Sequence, residues 1–152
     1  MTKRIIAVSL VLVLVLSLCA TAFASYFPTA SFASGSKNKL IKHGKVFTLK
    51  VKCKQGTGPF YEVFTYDHGW VYRAGLTVVA SRGSWSQELA DCSFTGNPTY
   101  KAKFTTKTIR KPASMDTYKL AATSWYRPTY GNIIDLTWRK YKTKKTNLYI
   151  LR

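Results

Sequence analysis

The sequence predicts an all-β protein, most simply a single antiparallel β-sandwich of about eight short strands. Three observations carry that reading. From Lys45 onward the hydrophobic period is two rather than 3.6. Turn-forming clusters of Gly, Pro, Asn, Asp and Ser recur at near-regular spacing. The aromatic content of 14% is high for a disordered chain, so a packed core is expected.

The elements follow in order. Residues 25–43 are small and polar with scattered aromatics, and read as a loose N-terminal arm that has room for an edge strand. Residues 44–152 form the sandwich domain. In its first strand Phe47, Leu49, Val51 and Cys53 share one face, and Thr48, Lys50, Lys52 and Lys54 share the other. Gly56-Thr57-Gly58-Pro59 ends it. Residues 60–66 form an aromatic strand, and Asp67-His68-Gly69 reads as a turn. Trp70 to Ala80 is extended, with Gly75 a candidate bulge. Arg82-Gly83 turns again, and residues 84–94 fit either a strand or one helical turn.

Gly96-Asn97-Pro98 breaks the chain before a second lysine-faced strand. There Tyr100, Ala102, Phe104 and Thr106 alternate with Lys101, Lys103, Thr105 and Lys107. Pro112 to Asp116 is a corner, and residues 117–126 form a strand. Pro128 to Asn132 is a turn, followed by a strand over 133–142. Thr143-Lys144-Lys145-Thr146 reads as a turn into a last short strand, 147–151. One segment, Asp116-Thr117-Tyr118-Lys119-Leu120, resembles the D-x-Y-x-C stretch of immunoglobulin-type strand F, with Leu120 in the cysteine position. The resemblance implies a sandwich and a tyrosine hydroxyl bonded back to the corner backbone. It implies no function.

Residues 1–24 read as a cleaved secretory signal. Lys3 and Arg4 make a positive start, Ile5 to Leu18 an apolar middle, and Ala22-Phe23-Ala24 a small-x-small cleavage site. The alternatives are an uncleaved membrane anchor, since the run nears spanning length, and a lipid-attached Cys19. Leu18 does not suit the second, because that signal needs a small residue before the cysteine. Removal of the signal leaves 128 residues, enough for one domain. It also leaves Cys53 and Cys92, an even pair that predicts one disulfide in an exported chain. Closing that loop would stabilise by roughly 4 kcal/mol in the chain-entropy picture. There is no C-x-x-C or Cys/His cluster, so no metal or other cofactor is expected.

Charge is the dominant signal. The net +18 falls to +16 without Lys3 and Arg4. Residues 25–61 hold seven lysines and no acid; residues 136–152 hold six cations and no acid. All six acids lie between Glu62 and Asp135. Lysine ladders concentrate positive potential and draw polyanions in a salt-dependent way; they also solubilise a sheet face and blunt its edges. The candidate anion-binding residues are Lys50, Lys52 and Lys54, then Lys101, Lys103 and Lys107, then Arg139, Lys140, Lys142, Lys144 and Lys145. If the two acid-free ends lie side by side, their cations form one surface.

The expected function is therefore that of a secreted, non-enzymatic, cationic β-domain. Its expected partner is an anionic cell-wall polymer, an acidic polysaccharide or an anionic lipid surface. The signal and the lysine-rich style look bacterial and Gram-positive, with an extracellular or wall-associated location. Trp70, Tyr72, Trp85, Trp125, Tyr126, Trp138 and Tyr141 are candidates for stacking on sugar rings or bases, although in strands most aromatics are core or cross-strand partners. Export makes nucleic acid a minor partner. An exported bacteriocin-like antagonist is the first alternative. A small hydrolase acting on RNA or glycan is the second, resting on Glu62, His68 and Arg73 in one short stretch. No nucleophile-elbow, zincin or P-loop pattern supports an enzyme.

Overall fold

A computed structural model describes residues 26–56, 58, 60–62 and 67–152. The signal at 1–24 lies outside the described residues. The protein is all-β and its strands form two facing sheets.

The smaller sheet has the order β1-β3-β7, from Thr29–Phe32, Val46–Lys54 and Thr99–Thr105. In β3 every second residue is buried, as the period-two pattern requires. The larger sheet is built on two 16-residue strands, β5 (Asp67–Arg82) and β8 (Met115–Tyr130), paired antiparallel. Two strands in succession line the outer edge of each. Along β5 run β4 (Phe60–Glu62) and then β6 (Trp85–Phe94). Along β8 run β9 (Ile133–Ile134) and then β10 (Arg139–Leu151). Finally β2 (Lys39–Lys42) closes the edge beyond β10.

The core lies where the small sheet covers the large one. Leu49, Val51 and Phe104 from one side meet Leu76, Val78, Leu120, Leu148 and Ile150 from the other, all fully buried. Each such side chain contributes about 1.5–3 kcal/mol relative to exposure. Ala74, Ala80, Ala102 and Ala122 are the small counterparts that let the large residues interdigitate. Interior hydroxyls are used at the sheet margins. Thr106 donates to the Lys45 carbonyl at 2.8 Å, and Ser36 Oγ accepts from the Lys50 amide at 2.8 Å.

Several expectations change. The supposed loose arm contributes β1 and β2, one strand to each sheet. Its Ala30 and Phe32 are apolar enough to bury, so the segment docks despite its polar composition. β2 pairs parallel with β10, so the large sheet is mixed rather than purely antiparallel. Asp67, His68 and Gly69 open β5 by pairing with β4 instead of turning. The expected strand over 63–66 lies outside the described residues. Residues 84–94 resolve into strand β6. Pro128 sits inside β8 opposite Val71, next to a bulge where a missing amide hydrogen is tolerated.

Gly75 is paired regularly on both sides, and the bulges fall at Val71/Arg73 and Val78/Val79 instead. Its role is steric: a Cβ there would meet the Trp138 ring at 3.0 Å. The expected turn at 143–146 does not exist. β10 passes straight through it, held by a Thr123–Thr143 hydroxyl bond of 2.9 Å across to β8. The 133–142 strand is instead split, with β9 ending at Ile134 and β10 beginning at Arg139. The Asp-x-Tyr segment serves Arg82. Asp116 binds its guanidinium at 2.7 Å, and Tyr118, buried against Trp85 and Phe104, lies 5.7 Å beneath it.

Candidate polyanion-binding surface

Strand alternation decides where the lysines go. The buried residues of β3 and β7 face the core, so Lys50, Lys52, Lys54, Lys101 and Lys103 all point outward from the small sheet. Successive lysines on one strand stand about 7 Å apart. The β3–β7 register sets Lys50 directly opposite Lys101, and places Lys103 opposite Thr48. On the other side of β3, Lys52 faces Ser31 and Lys54 faces Thr29. The face therefore carries five lysines, hydroxyl side chains and no acid.

Beyond β1 this face runs into a cleft of about 490 Å³. Here β10 is still the outer strand of its sheet, because β2 begins to pair only at Leu148. Lys37, Lys119, Lys144 and Lys145 line the cleft, with Ser31 and Asn147 as neutral hydrogen-bonding neighbours. Asn38 adopts left-handed backbone (φ 47°), and its amide donates to Thr146 Oγ1 at 3.0 Å, which fixes the chain reversal into β2. The two acid-free ends of the sequence are thus brought together: β2 and β10 are hydrogen-bonded neighbours, and β1 lies over β10.

The candidate cations do not all join this surface. Lys144 and Lys145 line the cleft. Lys107 lies on a short 3-10 turn (Thr106–Thr108) past the end of β7. Arg139, Lys140 and Lys142 stand at the start of β10, beside the far part of β8. Arg139 binds Asp135 at 2.9 Å; the hydrogen bond from the Thr137 amide, and secondarily the one from Arg139, hold the Asp135 carboxyl below the usual range. Lys37 and Lys119 were not among the candidates. Their signal is the register that puts Lys119 opposite Asn147 across the β8–β10 pair. A second basic cleft, about 510 Å³, also escaped the sequence; Arg82, Arg110, Lys111 and Arg152 line it.

Cys53 and Cys92 are both free thiols, so the expected disulfide is absent. They belong to β3 and β6, in different sheets, and lie near each other as two separate thiols; an even count says nothing about whether a pair is joined. Burial, and secondarily the neighbouring Cys92, push the Cys53 thiol up to about 12. Burial also raises Cys92. Both are protonated at neutral pH.

No protein-family model and no curated protein sequence matches this chain.

Of the candidate aromatics, Trp85 packs edge-on to Tyr118 at 5.4 Å against the core. Tyr126 and Tyr141 both pack on Phe27, at 5.0 and 4.8 Å. Trp138 is covered by the Arg127 guanidinium at 4.5 Å and lies over Gly75. With Trp125 it borders a shallow groove of about 350 Å³ on the outer face of the large sheet. Trp70 and Tyr72 alone in this set are more than half exposed. Of the groups behind the hydrolase alternative, Arg73 is exposed opposite Arg127, while the side chains of Glu62 and His68 lie outside the described residues. His43 Nε2 lies 3.1 Å from the Ile109 carbonyl, a structural contact. Among the described residues no group of His, Cys, Asp or Glu is arranged to hold a metal.

Proposed function

We propose that this protein is an exported, non-enzymatic binder of an anionic envelope polymer, which lies across the lysine face and into the cleft at the β10 edge. The polymer is a polyphosphate or polycarboxylate of the teichoic-acid or acidic-polysaccharide type. The observation that carries the reading is Lys50 set opposite Lys101 in an acid-free field. Like charges directly opposite each other in a sheet cost stability. A polyanion between them converts that repulsion into attraction and releases its own counterions.

Binding of this kind rests on many weak contacts and is steeply salt-dependent. The hydroxyls of Thr29, Ser31 and Thr48 and the amide of Asn147 supply neutral hydrogen bonds between the cations. The test is retention on whole cell walls, acid-stripped walls and anionic liposomes across a salt series. Retention that is lost on acid-stripped walls and falls with salt is the expected result. Retention indifferent to salt would sink the proposal.

A further inference from the structure

The long strands β5 and β8 run past the small sheet, and their protruding end has a different chemistry. Among the described residues, ten large hydrophobics are exposed. Three of them, Leu40, Val46 and Met115, are scattered. The other seven belong to this one end. Ile133 is 71% exposed and Leu136 69%, with Ile134 beside them; Trp70, Tyr72, Tyr141 and Tyr26 complete the group.

Backbone pairing and packing tie them together. Trp70 pairs with Thr129, and Thr129 pairs with Ile134, so the three stand in one row across the sheet. Tyr72 falls in the bulge between Val71 and Arg73. The Tyr26 carbonyl accepts from the Gly58 amide, and Gly58 packs on Trp70. Tyr141 stacks on Phe27, the next residue.

The flanks are cationic. Arg73, Lys140 and Lys142 are exposed on the adjoining strands, and Lys54 ends the lysine row two residues before Gly56, which packs against Tyr26 and Phe27. Asp135, within the apolar tip, is held by Arg139 and the Thr137 amide. Glu62 and Asp67 are the other acids at this end, paired across β4 and β5. Aliphatic side chains at a tip, Trp and Tyr behind them, and Lys and Arg around the rim is the layering of a lipid interface: hydrocarbon, then amphipathic rings, then phosphate.

We infer that this end is a lipid-docking surface, with Ile133, Ile134 and Leu136 entering the headgroup boundary of an anionic bilayer and Trp70, Tyr72 and Tyr141 seated at its edge. No helix among the described residues is long and apolar enough to cross a membrane, and shallow docking by a β-turn tip requires none. This surface is separate from the lysine face, and goes beyond the polymer reading.

The test uses the whole protein with vesicles of phosphatidylcholine alone or mixed with phosphatidylglycerol. Brominated lipid should quench Trp70, and the Trp70→Phe variant should remove most of that quenching, because Trp85, Trp125 and Trp138 are more covered. Ile133→Asp with Leu136→Asp should cut the bound fraction on the mixed vesicles at least about tenfold. Retention on cell-wall polymer should be unchanged in that variant, so failure of either reading is visible by itself. Both positions are so exposed that circular dichroism and Tm should match the parent. Unquenched Trp70, or a double variant that binds the mixed vesicles like the parent, overturns the inference. So does a dimer that the double variant splits without any lipid quenching, which would assign the end to a second copy of the chain.

Discussion

The two halves of β5 and β8 use the same alternating backbone for opposite ends. Under the small sheet, Leu76, Val78, Leu120 and Ala122 are sealed from water. Beyond it, on the same strands, Trp70 and Tyr72 stand half in solvent, and the neighbouring Ile133 and Ile134 are exposed. The backbone pairing is continuous through both halves. What separates them is a change from aliphatic to aromatic and cationic side chains, and whether a second layer arrives to cover the strand. The covered half is a core, and the uncovered half is free to be a contact surface.

That contrast is broken most severely by truncating each side in turn. Leu120→Ala should cost about 2–5 kcal/mol in denaturant unfolding, because the cavity it leaves is enclosed by both sheets. Ile133→Ala should stay within about 0.5 kcal/mol of the parent. Equal costs at the two positions would mean that the protruding end is packed in solution.

Gly75 marks the boundary between the halves, and Gly75→Ala sharpens where it lies. The new methyl meets Trp138 at 3.0 Å, so the indole must shift off the sheet. The expected cost is about 1 kcal/mol or slightly more, with a changed tryptophan emission. An unchanged spectrum and stability would show that Trp138 is not seated on Gly75.

The lysine face is tested more finely by Lys50→Glu. It should strengthen the fold by about 0.2–1 kcal/mol, because an opposite-charge pair with Lys101 replaces a repulsive one. The same change should weaken retention on wall polymer. A variant that gains stability while losing binding separates function from folding at one residue. One that loses both would place Lys50 in the structural framework.

The smallest effect concerns the thiols. In the native protein at pH 7 alkylation should be slow at both and should reach half-buried Cys92 before buried Cys53, its rate rising with pH. Folded Cys53 keeps its proton up to about 12, whereas an unfolded thiol releases it near 9.0. Stability should therefore be unaffected by this group below pH 9.0 and fall as pH rises from there toward 12. Mass spectrometry after denaturing alkylation should count both cysteines as labelled.

The parts of this architecture that depend on neighbours along the chain were legible in the sequence. β3 and β7 announce themselves by lysines alternating with buried residues, and the outward face of the small sheet follows directly. The parts that depend on partners far along the chain were not. Thr143 to Thr146 has the composition of a turn, yet its threonines are cross-strand and capping contacts once β8 and Asn38 are in place. Lys37 and Lys119 reach the cleft only through the fold, since they come from segments about eighty residues apart in sequence. The protruding apolar end is illegible for the same reason: an exposed Trp and a buried one look alike in a strand pattern.

The parallel pairing of β2 with β10 bears on the order in which the molecule can be assembled. Every residue from Leu148 to Leu151 is sandwiched between a strand begun at Lys39 and one begun at Met115. The early strand β2 has no sheet partner until Leu148 to Leu151 have been made. A nascent chain made only as far as Trp138 would thus hold an unfinished sheet, with β2 waiting at one end and β8 exposed at its edge. That edge is completed only by a contact of about a hundred residues' sequence separation, which places it late in folding, after the local β5–β6 and β8–β10 hairpins can form.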